Sequence, residues 1–139
     1  MAPPAQRDSA HVIEELSVEE SMALLGSAAV GRLVYVADGE PGVIPVNYVF
    51  EGGTVLFRTT YGRVLDLISA GARVAFEVDD LDPATHTGWS VVVRGKAEEI
   101  WLAAELEAAR KLQLSSWAPG ERTHYVRISP STITGRRIE

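Results

Sequence analysis

Three β-rich runs follow one another with only turn chemistry between them: Gly31–Val36, Val43–Phe50 and Val55–Thr59. Asp38-Gly39-Glu40-Pro41-Gly42 separates the first two and Glu51-Gly52-Gly53 the last two, and residues of this kind fold a chain back on itself. The expected unit is a three-stranded meander. In the second run Ile44, Val46, Tyr48 and Phe50 share one face while Pro45, Asn47 and Val49 share the other, the period of a half-buried strand. The third run places Val55, Phe57 and Thr59 on one face and Leu56 and Arg58 on the other.

The same alternation returns later. Val74, Phe76 and Val78 interleave with Ala75, Glu77 and Asp79, and after a loop from Asp80 to Thr87 comes Trp89–Ala97, whose consecutive valines imply burial on both faces, with Gly95 as a bulge. Tyr125–Ile128 and Ser131–Thr134 read as closing strands with Pro130 as punctuation between them. Helices are short: one capped by the Ser17/Glu20 capping box and stopped by Gly26, one over Val64–Ile68 ending near Gly71, and one over Leu102–Leu112. Six or so strands with two or three short helices predict a mostly β chain, an antiparallel barrel.

With 139 residues, one domain is expected over residues 13–139, preceded by a disordered arm over residues 1–12. A net charge of -6 argues against a general nucleic-acid binder, which needs a basic face. The absence of cysteine excludes disulfides, thiolate metal sites and cysteine nucleophiles, and fits a cytoplasmic setting. No run approaches a membrane span, and residues 1–10 carry charges and prolines where a signal peptide has an apolar core. His11, His86 and His124 are scattered without metal-ligand spacing, and the last two read as loop or surface residues. Ser90 and Ser115 lack His and Asp partners for a hydrolase triad. Glu77 and the acidic run Asp79, Asp80 and Asp82 read as solvated charges.

The segment from Phe57 to Arg63 carries the most chemistry. An apolar strand runs into Arg58, Thr59, Thr60 and Arg63, and a helix N-terminus follows Gly62. Free backbone N–H groups, hydroxyls and guanidiniums there are the donor set for a phosphate. A solvated strand end would carry the same residue types, and the spacing leaves both readings open.

Taken in order, Gly31-Arg32-Leu33, Pro45-Val46-Asn47-Tyr48, Phe57-Arg58-Thr59-Thr60 with Gly62-Arg63, Val74–Asp79 and Gly88–Gly95 resemble the pyridoxamine 5'-phosphate oxidase-like proteins, in the short form common among actinobacteria. The resemblance implies an FMN-binding split β-barrel that forms a homodimer with flavin at the subunit interface. It assigns the phosphate to Arg58, Thr59, Thr60 and Arg63, with Val64 beside them, and the ring system to Pro45, Val46, Asn47 and Tyr48. Proline has no N–H, so a donor to the flavin ring would be Val46 or Asn47. Trp89 and Ser90 fall on a strand near the flavin in such proteins, and Trp117, in Trp117-Ala118-Pro119-Gly120, is a candidate cap over the pocket.

The expected function is that of an FMN-dependent oxidoreductase acting on a small molecule, with no catalytic side chain identified. Deazaflavin F420 is the alternative cofactor, and a non-catalytic flavin- or haem-binding protein the alternative role. Vitamin B6 oxidation is not expected, because the substrate-binding Arg and His residues of the full-length oxidases have no counterpart in this sequence.

Overall fold

The computed structural model describes residues 11–60, 62–112, 114 and 124–139. Seven strands and three helices follow in the order β1 (Ile13–Leu16), α1 (Val18–Leu25), β2 (Val30–Ala37), β3 (Glu40–Glu51), β4 (Thr54–Thr59), α2 (Arg63–Ser69), β5 (Arg73–Asp82), β6 (Thr87–Glu99), α3 (Ala103–Lys111) and β7 (His124–Ile138). All strand pairings are antiparallel. The sheet runs β1-β7-β4-β3-β2-β5-β6, and β6 pairs back onto β7, so it closes on itself. The expected antiparallel barrel of short helices and many strands is the observed one.

The meander forms as its turn residues dictate. Asp38 and Gly39 adopt φ of 52° and 78°, and Gly52 and Gly53 adopt 61° and 78°, the positive values that tight hairpins require. The β2–β3 turn is tighter than the sequence indicates, because Glu40, Pro41 and Gly42 already pair with Ala37, Val36 and Tyr35. The Asp80–Thr87 loop likewise shrinks, since the ladder between β5 and β6 extends to Asp82 and Thr87.

Phe57, Phe76, Leu33, Val55, Val78, Val91, Val93, Val126 and Ile128 are fully buried and fill the barrel, as their alternation predicts. Tyr48 packs edge-on against Phe76 with ring centroids 4.9 Å apart. Gly31 is the complement of that ring, because a Cβ there would lie 2.2 Å from Phe76 Cζ. On α1 the Ser17/Glu20 capping box is formed, with both reciprocal bonds present.

The two closing strands read around Pro130 are one strand of fifteen residues. Pro130 is accommodated because the register between β6 and β7 shifts there: Arg94 pairs with Thr132 but Gly95 with Pro130, and Ser131 is the extra residue of a bulge. Gly95 is required at this point, since a Cβ would sit 2.0 Å from the Ser129 carbonyl oxygen. Residues 11 and 12 are also held to the barrel. Val12 and Glu139 exchange backbone hydrogen bonds, and a His11 ring nitrogen lies 2.9 Å from the Thr85 carbonyl. No helix among the described residues is long and apolar enough to cross a membrane.

Gly95→Ala is expected to lower stability by about 2–3 kcal/mol, the upper part of the range for overpacking. Urea unfolding checks this, and an unchanged midpoint would contradict the bulge geometry.

Candidate functional site

β4 carries the phosphate candidates to the edge of the barrel. The β3–β4 ladder spans Tyr48–Glu51 opposite Thr54–Phe57, while Glu40–Asn47 of β3 pair with β2. One further step of that register would set Arg58 opposite Asn47, but the strands part there, and the chain leaves β4 beside an edge of β3 with no strand on it among the described residues.

Direction of the β3 backbone follows from one bond. The Tyr48 N–H donates to the Ala29 carbonyl at 3.1 Å, on the β2 side. Along an antiparallel strand successive residues turn their N–H and C=O groups to opposite sides. Val46 therefore faces β2, and Asn47 turns its backbone groups to the β4 side. The Tyr48 side chain is committed to the interior, with its hydroxyl donating to the Leu25 carbonyl and burial pushing its pKa up to about 12. Pro45 is exposed on the outer face, and Val46 packs on the core.

At the β4–α2 turn the predicted residues divide between two faces. Thr59 lies on the inward-alternating face, its hydroxyl donating to the Thr60 carbonyl at 3.3 Å. Gly62 has φ of 152°, open space where a Cβ would be, and no side chain capping the first turn of α2. Arg63 opens that helix and pairs with Asp38 at 3.3 Å, both side chains being mostly exposed. Such a pair is weakly held, worth about 0–1 kcal/mol, and can exchange its partner. Thr60, Gly62 and Arg63 are all exposed at this turn. Arg58 belongs to the opposite face of β4, where its Nη1 donates to the Leu114 carbonyl at 3.1 Å and its guanidinium stacks 5.4 Å from the Tyr125 ring centre. Val64 is half-buried against the core and anchors α2.

On β6, Trp89 alternates inward and packs on the end of the core, while Ser90 alternates outward. Ser90 helps line a pocket of about 190 Å³ with Ile13, Leu81, Gly88, Arg136 and Ile138. Trp117 lies outside the described residues.

Two charged clusters were not legible in the sequence. Glu77 and Asp79, read as solvated, are half-buried and bridged by one guanidinium nitrogen of Arg32, at 3.1 and 3.2 Å. The spacing i, i+2 puts both carboxyls on one face of a strand, but Arg32 reaches them only through the Arg32–Glu77 register of β2 and β5. Burial, and then hydrogen bonding and repulsion from Asp79, push the Glu77 pKa up to about 7 despite Arg32. His124, read as a loop or surface residue, is buried at the start of β7, and its Nδ1–H donates to the Glu99 carboxylate at 2.6 Å. Strand pairing brings Glu99 and His124 to adjacent strand ends, which nothing local in the sequence announces.

The chain as a whole is similar to known proteins. The sequence profile of the pyridoxamine 5'-phosphate oxidase family matches residues 17–137. An uncharacterised Mycobacterium tuberculosis protein, Rv0080, is 36% identical across 99% of this chain and 95% of its own length. The FAD binding protein of Mycobacterium smegmatis superimposes with a TM-score of 0.73 at 40% identity, covering 90% of this chain and 97% of that one. A FAD-binding protein from Mesorhizobium loti gives a TM-score of 0.78 at 26% identity, covering 93% and 98%. The chain belongs to the pyridoxamine 5'-phosphate oxidase family, as the order of its motifs implied.

Because the folded-state pKa of Glu77 is raised from 4.5 to about 7, its contribution to stability is full below pH 4.5 and is lost as pH rises through 7. Glu77→Gln is therefore expected to flatten the fall in thermal midpoint between pH 5 and 8, approximate limits set by that window. Parallel pH profiles for the variant and the parent would contradict the buried carboxyl pair.

Proposed function

We propose that this protein binds a flavin nucleotide and uses it for two-electron chemistry on a small molecule. The observation that carries the reading is membership of a family whose 40%-identical relative in Mycobacterium smegmatis is a FAD binding protein, together with a mostly exposed Arg63 at the β4–α2 turn. Thr59, Thr60, Arg63 and the first N–H groups of α2 would take a phosphate, since hydroxyls, backbone amides and a guanidinium are all donors to an anion. Arg58, held by the Leu114 carbonyl and the Tyr125 ring, stiffens the end of β4 and adds positive charge behind that cluster. β3 at Pro45 and Asn47 would face the ring system, with Pro45 offering an apolar contact and no competing donor.

When bound, the flavin supplies hydride acceptance and donation. The chain's contribution is to fix the ring against a rigid strand and to exclude water. Both FMN and FAD carry the phosphate this cluster fits. The names of the relatives support FAD, and the expectation drawn from the motifs is FMN, with F420 as the remaining cofactor of the same kind. A haem reading gains nothing from His124, which is buried against Glu99.

A second copy of the chain completes the site in this reading. The outer face of β2 and β3 leaves Val36 and Val43 exposed by 59% and 58%, next to the open edge. An apolar, strand-rich face of this kind is suited to a partner subunit.

Arg63→Ala is expected to weaken FMN binding at least about tenfold while changing riboflavin binding little, because riboflavin lacks the phosphate and a charged hydrogen bond is worth about 1.5–3 kcal/mol. Flavin fluorescence titration reads both, and equal losses would remove the phosphate assignment. Val36→Glu with Val43→Glu is expected to convert a dimer to a monomer in light scattering and to reduce flavin retention with it. A variant that stays dimeric would place the partner on another face.

A further inference from the structure

β2 and β5 pair over three residues only, Arg32–Val34 against Ala75–Glu77. Past Val34, β2 stays with β3 and β5 stays with β6, so the two strands diverge. The divergence leaves a groove of about 260 Å³ lined by Val34, Tyr35, Val36, Val74 and Ala75, with Arg73 and Arg94 at its rim. Lys96 lies directly across from Arg73 in the β5–β6 register, and Arg94 is across from Ala75. All three cations alternate to the outer face of the sheet.

In a chain with a net charge of -6 this is an unusual place for three cations. Like charges directly opposite each other on neighbouring strands cost stability. Three other arginines of this sheet are offset by carboxylates: Arg32 by Glu77 and Asp79, Arg127 by Glu98 and Glu105, and Arg137 by Glu20. No described carboxylate lies within 4 Å of Arg73, Arg94 or Lys96.

Arg73 is nonetheless held in place. Its Nη2 donates to the Ser131 hydroxyl at 2.9 Å, and that hydroxyl donates to the Arg94 carbonyl at 3.0 Å. Ser131 is the extra residue of the β7 bulge, so the irregularity that closes the barrel also fixes this guanidinium. Bulges of this sort commonly aim a side chain at a functional site.

We infer that the groove between β2 and β5 binds an organic anion: an apolar body seated on Val34 and Ala75, with a phosphate, sulfonate or carboxylate held by Arg73 and Arg94 and supported by Lys96. The inference is separate from the flavin site, which lies at the end of β4. Two sources share this chemistry, a free small molecule and the distal part of a dinucleotide cofactor.

The test is calorimetric titration of the purified protein with 1-naphthyl phosphate, with 1-naphthol as the uncharged control. The protein is expected to bind the phosphate more tightly than the alcohol, with affinity falling as salt rises. Arg73→Gln with Arg94→Gln is expected to weaken 1-naphthyl phosphate at least tenfold and leave 1-naphthol unchanged; Lys96→Gln alone should weaken the phosphate about two- to fivefold. The double variant relieves cation repulsion, so its thermal midpoint should equal or exceed the parent's. A parent that does not distinguish the two probes, or a folded double variant that keeps its affinity within twofold, overturns the proposal. Flavin titration then separates the sources. Loss of FAD but not FMN affinity in the double variant, with FAD displacing 1-naphthyl phosphate, identifies the distal part of the cofactor. Unchanged FAD affinity, with 1-naphthyl phosphate binding alongside it, identifies a separate small molecule. A parent that binds no flavin removes the proposed function and leaves the naphthyl phosphate result to stand or fall alone.

Discussion

Closure of the sheet through β7 is the constraint on which the other features rest. His124–Thr59 through Ile128–Val55 join β7 to β4, while Val126–Glu99 through Ile138–Gly88 join it to β6. One strand can serve both neighbours only if it bends, and the bend is the bulge at Ser131 opposite Arg94 and Gly95. The contact of Gly95 with the Ser129 carbonyl leaves no room for a side chain. Without that approach the ring opens, Val91, Val93, Val126 and Ile128 lose their burial, and the strand ends that carry the site lose their fixed spacing.

The barrel is closed on one side and parted on two others, and the proposed sites lie at the partings. The β3–β4 ladder ends at Tyr48 and Phe57. The β2–β5 ladder ends at Val34 and Ala75, leaving the cationic groove. Tyr48 anchors this part of β3: its hydroxyl and ring secure α1 and Phe76, which fixes the neighbouring Asn47.

Much of the fold was legible because it follows from local rules. The meander, the capping box and the inward face of Ile44, Val46, Tyr48 and Phe50 each depend on residues close in sequence. Pro130 misled, since a proline ordinarily breaks a strand; here it sits at a bulge, one of the places in a sheet that tolerates it. The phosphate candidates were legible as a set, but their division between two faces of β4 was not, because Arg58 finds its partners at Leu114 and Tyr125, far along the chain. The clusters Arg32–Glu77–Asp79 and His124–Glu99 were invisible for the same reason.

The sequence by itself determined an antiparallel barrel, its core residues, its family and the donor types available near Gly62. Those are set by periodicity, turn chemistry and motif order, all of which act over a few residues or along the chain. Only the tertiary structure decided that Arg58 turns to the opposite face of β4 from Thr59, that Val46 and Asn47 turn their backbones to different neighbours, and that Arg73, Arg94 and Lys96 gather at one groove. Strand register decides these points, and register is fixed by packing and bulges between segments distant in sequence, where a shift of one residue would turn every side chain to the other face.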